Sequence, residues 1–515
     1  MLGSKAHRII FLLLLTLLGG SMMTSVFMAN LAWVLLGVNW LLEGRWREKW
    51  QMAKESRLLQ AYLGLYLLLL AGMLWTENVA HGFSVLQVKL PLLVVPLVLL
   101  TTRPVMGRAR QAVLGVYIGT VLVVSIIGTV RIFTIPNLPY RDAVPYISHI
   151  RFALNCCMVI FLVVSGEWTE GRKSRPIHYL FSVLLILWLL IFIVMLHSYT
   201  ALAILLVVSL VLLLFRYRRW QWVLLWVAVV GSGVAVICNE VKSYYSLVPL
   251  AQEPLHPFTA GGRPYKHSGN GVIENGNYIG NYVCREELRH EWNRRSRLPF
   301  DSLGPDGYGV DAILIRYLNA LGLTKDSVGV WSLSESQVHH IEQGVANPVY
   351  LSRNPIRKMV YVILFEYECY RHTEAVTGFT MLQRLELWEA TLGVVRQHPW
   401  VGVGTGDVDD AVHAQLAAQQ SPLTGTTMSP HNQYLSLLTA LGAIGIAILI
   451  ALFLRPLLGK NCCRLTTLML AWLLLLLISM LTEDTLDTLA GQMLCTWFLA
   501  FRQSKTENVR IPHTA

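Results

Sequence analysis

Charged residues are scarce in this sequence, in which Asp, Glu, Lys and Arg make up 14% of 515 residues. Soluble domains contain about 25% charged residues, so a water-soluble globular protein is a poor interpretation. Hydrophobic residues account for 54% of the chain. Much of the chain is therefore expected to contact lipid.

Motifs for metals and cofactors are also missing. The eight cysteines form no C-x-x-C pair and no Cys/His spacing typical of zinc sites. The glycine-rich segment 402–406 lacks the Lys-Ser/Thr of a P-loop, and a structural turn that returns the chain to the membrane is favoured. We predict no metal and no cofactor. Cys284 and Cys369 lie in a polar segment where a disulfide is conceivable, and the sequence leaves their pairing open.

Apolar runs rich in leucine recur along most of the chain. A bilayer core needs about 20 apolar residues per helix. The first run, Ile9–Leu42, is too long for one span and has a small, polar break at residues 19–21, so it predicts two helices. With the remaining runs the sequence predicts about twelve spans. Those runs are Leu58–Trp75, Val85–Leu100, Ala112–Val130, Ile150–Gly166, Tyr179–Leu196, Ala201–Phe215, Trp222–Cys238, Tyr434–Leu454, Thr466–Leu481 and Leu486–Phe501.

The net charge of +11 arises from basic residues in alternate short loops. This placement is the positive-inside pattern, which predicts that both termini are cytoplasmic and gives no support to nucleic-acid binding. The basic clusters fall within residues 5–8, 45–57, 103–110, 172–175, 216–219, 455–464 and 502–510.

The same alternation places residues 239–430 outside the cytoplasm. At about 190 residues the segment is long enough to fold as a domain. Helical periodicity over Cys284–Arg295, Gly309–Gly322 and Thr380–Gln397, a helix from Asn354 to about Gly378, a turn at Asn275-Gly276 and a capping box at Ser334–Gln337 predict a mostly helical domain.

These patterns together predict an all-α integral membrane protein with a large, mostly helical domain between the ninth and tenth spans. Residues 1–238 hold the first nine spans, residues 239–430 form the outer domain, and residues 431–515 hold the last three spans and a short cytoplasmic tail.

A histidine opens the predicted tenth span. Ser429 followed by Pro430 is typical of an N-cap and first helical residue, which puts His431 in the first turn at the outer membrane surface. The amides and dipole of that helix end disfavour an imidazolium, so we expect a neutral ring that can take a proton from a hydroxyl beside a bound anion. The alternative is an interfacial histidine that only hydrogen-bonds a neighbour.

Further charged side chains fall near the outer surface of the membrane, where intramembrane charge is costly and usually functional. For the two basic residues within spans, snorkelling to the headgroups is the alternative. Together the set predicts a basic site suited to a lipid-linked phosphate. The residues are Lys89 and Arg151 in spans, Arg384 and Arg396 on the helix that leads to the histidine, and Glu483, Asp484 and Asp487 in the last outer turn.

The histidine belongs to a longer motif. His431-Asn432, nine further residues and then Gly442-Ala443-Ile444-Gly445 match the H-[NSQ]-x9-G-x-x-G signature of the O-antigen ligase family. Segments 384–388, 398–404 and 483–486 also resemble that family. The topology is similar over nearly the whole chain, whereas the sharp motifs lie in residues 384–490.

The resemblance implies a metal-independent glycosyltransferase of the bacterial inner membrane with a periplasmic active site. Such enzymes take a glycan from undecaprenyl diphosphate and join it to a lipid A–core sugar hydroxyl. His431 matches the essential histidine of the family, Arg384 its loop arginine, and Arg151 an arginine on a membrane helix. We also assign substrate-binding roles to Lys89, Arg396, Asn432, Glu483 and Asp484.

Other functions stay open. An O-antigen polymerase or a protein O-oligosaccharyltransferase would share the donor, and an outer domain larger than is usual for the family leaves the acceptor open. A transporter or flippase of the same carrier lipid would explain the many helices and the buried basic residues. It explains poorly the large outer domain, and the two halves of the chain look unalike whereas transporter halves are often related.

Overall fold

A computed structural model describes the chain over residues 4–135, 138–168, 176–246, 255–268, 271–305, 307–352, 354–373, 380–426, 429–455 and 466–502. The basic clusters predicted at 172–175, most of 455–464 and most of 502–510 lie outside these ranges, as does the end of the helix predicted to reach Gly378. The chain divides into two compact units, one formed by Met1–Val223 with Leu387–Ala515 and the other by Leu224–Glu386.

The first unit is built from apolar helices. Eight helical stretches of the described chain are long and apolar enough to cross a membrane, and four shorter apolar helices accompany them. The helices are α1 (Ser4–Ser21), α2 (Val26–Glu43), α3 (Trp46–Glu55), α4 (Arg57–Gly72), α5 (Val79–Val88), α6 (Pro91–Leu100), α7 (Gly107–Thr134), α8 (His149–Ser165), α9 (Pro176–Met195), α10 (Tyr199–Val211) with a π-helical end (Leu212–Tyr217), and the start of α11 (Trp220–Tyr245).

The second part of this unit continues the same architecture after the insertion. It contains the end of α17 (Thr380–Gln397), α18 (Val408–Ala418), α19 (Gln433–Leu454), α20 (Thr467–Ser479) and α21 (Leu489–Thr496), followed by a 3₁₀ turn (Trp497–Phe501). The two helices predicted within Ile9–Leu42 are present as α1 and α2. The helices mark a multi-pass membrane protein, whereas the count of twelve spans stays a prediction.

Helix α8 lies in the core of the first unit. Every side chain from Phe152 to Val163 is buried, and the helix packs against α7, α9, α10 and α20. A helix that is apolar on all sides is typical of a position surrounded by other helices. Arg151, in the first turn of α8, directly precedes this buried stretch.

Helix α19 is broken at Gly442. This residue has φ 65° and ψ −176°, a conformation that only glycine adopts without strain. Glycines in membrane helices commonly permit close contact with a neighbouring helix. At Gly442 the close neighbour is instead a loop, because a Cβ there would lie 2.3 Å from the carbonyl carbon of Trp400.

The second unit is mostly helical, as predicted for this region. It contains part of α11, then the two-residue strands β1 (Ile273–Glu274) and β2 (Asn277–Tyr278), and the helices α12 (Arg285–Arg295), α13 (Val310–Ala320), α14 (Ser327–Ser332), α15 (Glu335–Glu342) and α16 (Pro355–Thr373). The predicted turn at Asn275-Gly276 joins the two strands, and both of its residues have positive φ. The predicted capping box is also present, with the Ser334 hydroxyl accepting from the Gln337 amide.

An apolar core formed by residues such as Trp292, Phe300 and Leu314 holds the second unit together. Beside it, the fully buried carboxylate of Glu274 accepts a hydrogen bond from Arg316 at 2.7 Å. The domain boundaries and the extracytoplasmic position of residues 239–430 stay predictions. Cys284 and Cys369, both within the described residues, are not joined by a disulfide.

Candidate active site

His431 lies immediately before helix α19, in a left-handed backbone conformation with φ 50°. The helix begins at Gln433, and Asn432 is its N-cap. The side-chain oxygen of Asn432 accepts hydrogen bonds from the amides of Tyr434 and Leu435, both at 3.1 Å. The cap therefore satisfies two of the amides that a helix start leaves open.

The prediction that Ser429 caps the helix and that His431 lies in its first turn is wrong. Asparagine caps helices as well as serine does, and the Ser429 hydroxyl donates a hydrogen bond to Asp484 instead. The Asn432 side chain already accepts hydrogen bonds from two amides of this helix end. The expectation of a neutral imidazole, which was based on open amides at the helix start, therefore loses this support. A carboxylate of the described chain lies beside the ring.

That carboxylate belongs to Asp484, in the turn between α20 and α21. Its Oδ2 lies 3.6 Å from Nδ1 of His431. The Ser429 hydroxyl donates to Oδ2 at 2.6 Å, and the Ser436 hydroxyl shares its proton between the carbonyl of Asn432 at 3.1 Å and Oδ1 at 3.3 Å. The exposed fraction is 7% for the Asp484 side chain and 42% for that of His431. A buried carboxylate therefore lies next to an accessible imidazole.

Burial has a second effect on Asp484. It raises the pKa of the carboxyl, and the nearby Asp487 raises it further, whereas the Ser429 hydroxyl and His431 act in the opposite direction. A carboxylate that is held by two hydroxyls and shielded from water can orient one ring nitrogen of a histidine and stabilise the imidazolium. The other ring nitrogen can then exchange a proton with a substrate.

Hydrogen bonds with α17 and with α20 hold the segment that carries His431. The indole nitrogen of Trp388 donates a hydrogen bond to the carbonyl of Pro430 at 2.7 Å. The hydroxyl of Tyr434 donates to the carbonyl of Leu477 on α20 at 2.8 Å. These bonds fix the backbone on both sides of the histidine.

The glycine-rich turn predicted at residues 402–406 fills the break in α19. Four backbone hydrogen bonds join the segment 399–404 to the two sides of the break. They run from Val403 N to Thr439 O (2.9 Å), Gly404 N to Ala440 O (3.1 Å), Ala443 N to Pro399 O (2.8 Å) and Ile444 N to Trp400 O (3.1 Å). Since broken helices need other partners for their backbone in a membrane, this turn is structural, as its sequence predicts.

Lys89 reaches the same α20–α21 region from the turn between α5 and α6. Its ammonium pairs with Asp487, and only 8% of the residue is exposed. The other oxygen of Asp487 accepts a hydrogen bond from the Gln433 side chain at 3.3 Å. Lys89 therefore has a carboxylate partner, and its predicted contact with substrate stays a prediction.

Arg151 lies in the first turn of α8. Its Nε is buried and has no hydrogen-bond partner among the described residues. Glu483 is buried next to Asp484. The hydroxyls of Thr200 and Thr482 lie 3.3 Å apart and link the start of α10 to the turn that carries both acidic residues.

The remaining predicted site residues are placed less directly. Arg384 lies on the part of α17 that belongs to the second unit, and Arg396 is exposed in the last turn of the same helix. Asn432 is next to the histidine, but its side-chain oxygen is used by the helix cap. The roles of these three residues in substrate binding or catalysis stay predictions.

Gln433 was missed by the sequence reasoning, and Asp487 was noticed but given no role. A signal for Gln433 was available, because Gln433, Ser436 and Thr439 recur every three residues on a largely apolar helix. Polar side chains on one face of a membrane helix need partners. No sequence pattern near Gln433 indicates that these partners lie in the α20–α21 turn.

Comparison with known proteins agrees with the motif. Residues 344–450 match the family model described as O-antigen ligase. The match includes Arg384, Arg396 and the whole histidine–glycine motif, whereas Lys89, Arg151 and Asp484 lie outside it. Among curated proteins no match is found. The match over residues 344–450 confirms the resemblance to the O-antigen ligase family that the histidine motif predicts.

Proposed function

We propose that this protein transfers a glycan from undecaprenyl diphosphate to a sugar hydroxyl of lipid A–core, at the periplasmic face of the bacterial inner membrane. The observation that carries the proposal is the pair formed by His431 and Asp484. The histidine belongs to the O-antigen ligase motif, and its accessible ring has a buried carboxylate 3.6 Å from Nδ1.

In the proposed reaction, Nε2 of His431 accepts the proton of the acceptor hydroxyl while its oxygen attacks the anomeric carbon of the donor. The bond from that carbon to the diphosphate oxygen breaks, and the diphosphate leaves with the electron pair. Asp484 stabilises the imidazolium that forms at His431. Direct displacement of this kind inverts the anomeric configuration, so a product with retained configuration would contradict it.

The leaving diphosphate needs positive partners. We assign this role to Arg151 and Arg384, because a guanidinium holds phosphate oxygens at two points and keeps its charge. Arg151 supports the assignment, since its Nε is buried without a hydrogen-bond partner among the described residues. With two arginines and a good leaving group, the mechanism requires no metal. Transfer that occurs only with a divalent cation would contradict it.

The direct test uses the purified full-length chain in lipid nanodiscs with undecaprenyl diphosphate-linked glycan and lipid A–core. We expect glycan transfer by the wild type and loss of at least about a hundredfold for His431→Ala, which is typical for removal of a general base. His339→Ala is the matched control, because this histidine is exposed on α15 in the second unit. Equal activity of His431→Ala and the control would refute the assignment.

A second variant tests the arginine. Arg384→Lys keeps the charge and loses the two-point contact with phosphate, so we expect it to lose most of the transfer activity. Unchanged transfer by this variant would remove Arg384 from the site.

The acceptor is tested in the native host. If the protein is a ligase, His431→Ala should accumulate carrier-linked polymer and leave lipid A–core bare. Carrier lipid that bears single repeat units would instead identify a polymerase, and loss of glycan from a protein would identify a protein-directed transferase. A flippase would produce no transfer between donor and acceptor that are both added to the purified protein.

A further inference from the structure

Lys89 is a charged residue within an apolar span, and the proposed chemistry does not require it. It is 8% exposed and lies at the turn between α5 and α6. Its ammonium pairs with Oδ1 of Asp487. Binding of a phosphate by Lys89 would take this partner from Asp487 and leave a partly buried carboxylate without a counter-ion, which is costly.

Gln433, the first residue of α19, is hydrogen-bonded to this ion pair. Its side-chain nitrogen donates to Oδ2 of Asp487 at 3.3 Å, and its side-chain oxygen accepts from the amide of Leu486 at 2.6 Å. Its own amide donates to the carbonyl of Met480 at 2.9 Å. Gln433 is 1% exposed, whereas the side chain of Asp487 is 32% exposed, so the bond to Leu486 is buried and the bond to Asp487 is partly buried.

A parallel connection runs through α21. The fully buried side chain of Gln492 donates hydrogen bonds to the carbonyls of Val88 and Leu486, both at 2.9 Å. Val88 directly precedes Lys89, and Leu486 directly precedes Asp487. The α5–α6 turn and the turn that carries Asp484 are therefore joined by an ion pair and by a bridging amide.

These contacts fix both segments that carry the His–Asp pair. Gln433 follows His431 by two residues, and Leu486 and Asp487 follow Asp484 by two and three residues. The atoms Nδ1 and Oδ2 of the pair are 3.6 Å apart, so a small displacement of either segment brings them into a hydrogen bond or separates them. A shift of about 1 Å in a catalytic group can lower a rate by a factor of about a hundred.

We propose that Lys89, Asp487 and Gln433 form a lock that positions His431 against Asp484. Within it, Lys89 is a positioning residue that holds Asp487 in place rather than a ligand of the donor phosphate. The proposal rests on the proposed function, in which His431 acts as the base.

An exchange of functional groups between two members of the lock tests it. Gln433→Glu places a carboxylate beside Oδ2 of Asp487, and Asp487→Asn removes the counter-ion of Lys89. The double variant Gln433→Glu/Asp487→Asn restores one carboxylate and one amide, because the new amide of residue 487 can donate to the new carboxylate of residue 433. The charge of the lock is then the same as in the wild type.

We expect each single variant to lower kcat at least about tenfold with the KM for the donor unchanged within about twofold, and the double variant to recover to within about threefold of wild type. Lys89→Met should behave as the single variants do, and Lys89→Arg should recover most of kcat. A double variant no better than the poorer single variant, or a donor KM that rises for Lys89→Met while kcat is kept, would overturn the proposal.

A second measurement separates this proposal from the proposed function. Acylation of His431 by diethyl pyrocarbonate, followed by peptide mass spectrometry, reports the surroundings of the ring without any glycan substrate. The rate should change at least about threefold in each single variant and return in the double variant, since coupled residues compensate in such cycles. Rates equal in all variants would refute the lock, whereas a wild type without transfer activity would refute only the function.

Discussion

Replacement of Gly442 by alanine should destabilise the first unit by about 3–5 kcal/mol, although it adds a single methyl group. Gly442 has φ 65° and ψ −176°, and holding another residue in such a region costs about 1–3 kcal/mol. A Cβ at this position would also lie 2.3 Å from the carbonyl carbon and oxygen of Trp400. These neighbours are backbone atoms, so they can give way only if the whole loop moves.

Movement of the loop costs hydrogen bonds. The amides of Ala443 and Ile444 donate to the carbonyls of Pro399 and Trp400 at 2.8 and 3.1 Å. Each such bond contributes about 1 kcal/mol net. Together with the backbone strain at Gly442, the loss of these two bonds gives the expected range.

The measurement is the midpoint of unfolding of the purified protein in mixed micelles with increasing SDS. Gly115→Ala on α7 is the matched control, because a Cβ there has no neighbour within 4 Å and the helix continues through the position. We expect the control to be neutral or stabilised by up to about 1 kcal/mol. Equal midpoints for Gly442→Ala and Gly115→Ala would refute the argument that the break requires glycine.

Three further changes have distinct expected outcomes. Asn432→Ala should cost about 1 kcal/mol of stability in SDS unfolding because two capping bonds are lost, and Asn432→Ser should recover most of it. Burial raises the pKa of Asp484, so the stability that this group contributes is present below the ordinary pKa of about 3.9 and is lost as pH rises through the raised value. Asp484→Asn should therefore gain stability relative to wild type as pH rises above about 4, while transfer falls. A difference in stability that does not depend on pH would contradict this. Arg316→Met should destabilise the second unit by about 3–5 kcal/mol, because it leaves Glu274 buried without its arginine partner. The loss should be seen as faster hydrogen exchange at β1 and α13, and adding Glu274→Gln should recover most of it.

Local and periodic signals predicted most of the helices. Hydropathy located the apolar helices because a chain in lipid must satisfy its backbone within each segment, and the helix does so. The capping box at Ser334 and the turn at Asn275-Gly276 depend only on residues a few positions apart, and both are present. Such features need no knowledge of the tertiary structure.

The N-cap of α19 could not be predicted in the same way. Ser429 and Asn432 are both good caps, and the choice depends on Asp484, which takes the Ser429 hydroxyl from a position far along the chain. The pairing of Lys89 with Asp487 has the same character, since the two residues are separated by 398 positions. Depth and charge indicated that Lys89 has a function, but only the tertiary structure identifies its partner.

The spacing of the family motif has a physical meaning in this fold. Nine helical residues separate Asn432 from Gly442, which corresponds to a half-helix of about 14 Å. One end of this half-helix is held by the loop 399–404 at the glycine break, and the other end by Gln433 in the α20–α21 turn. His431 stands just beyond the second attachment. A half-helix that is held at both ends fixes the position and the orientation of His431 relative to Asp484. The glycine and the histidine of the motif therefore act together in positioning the imidazole.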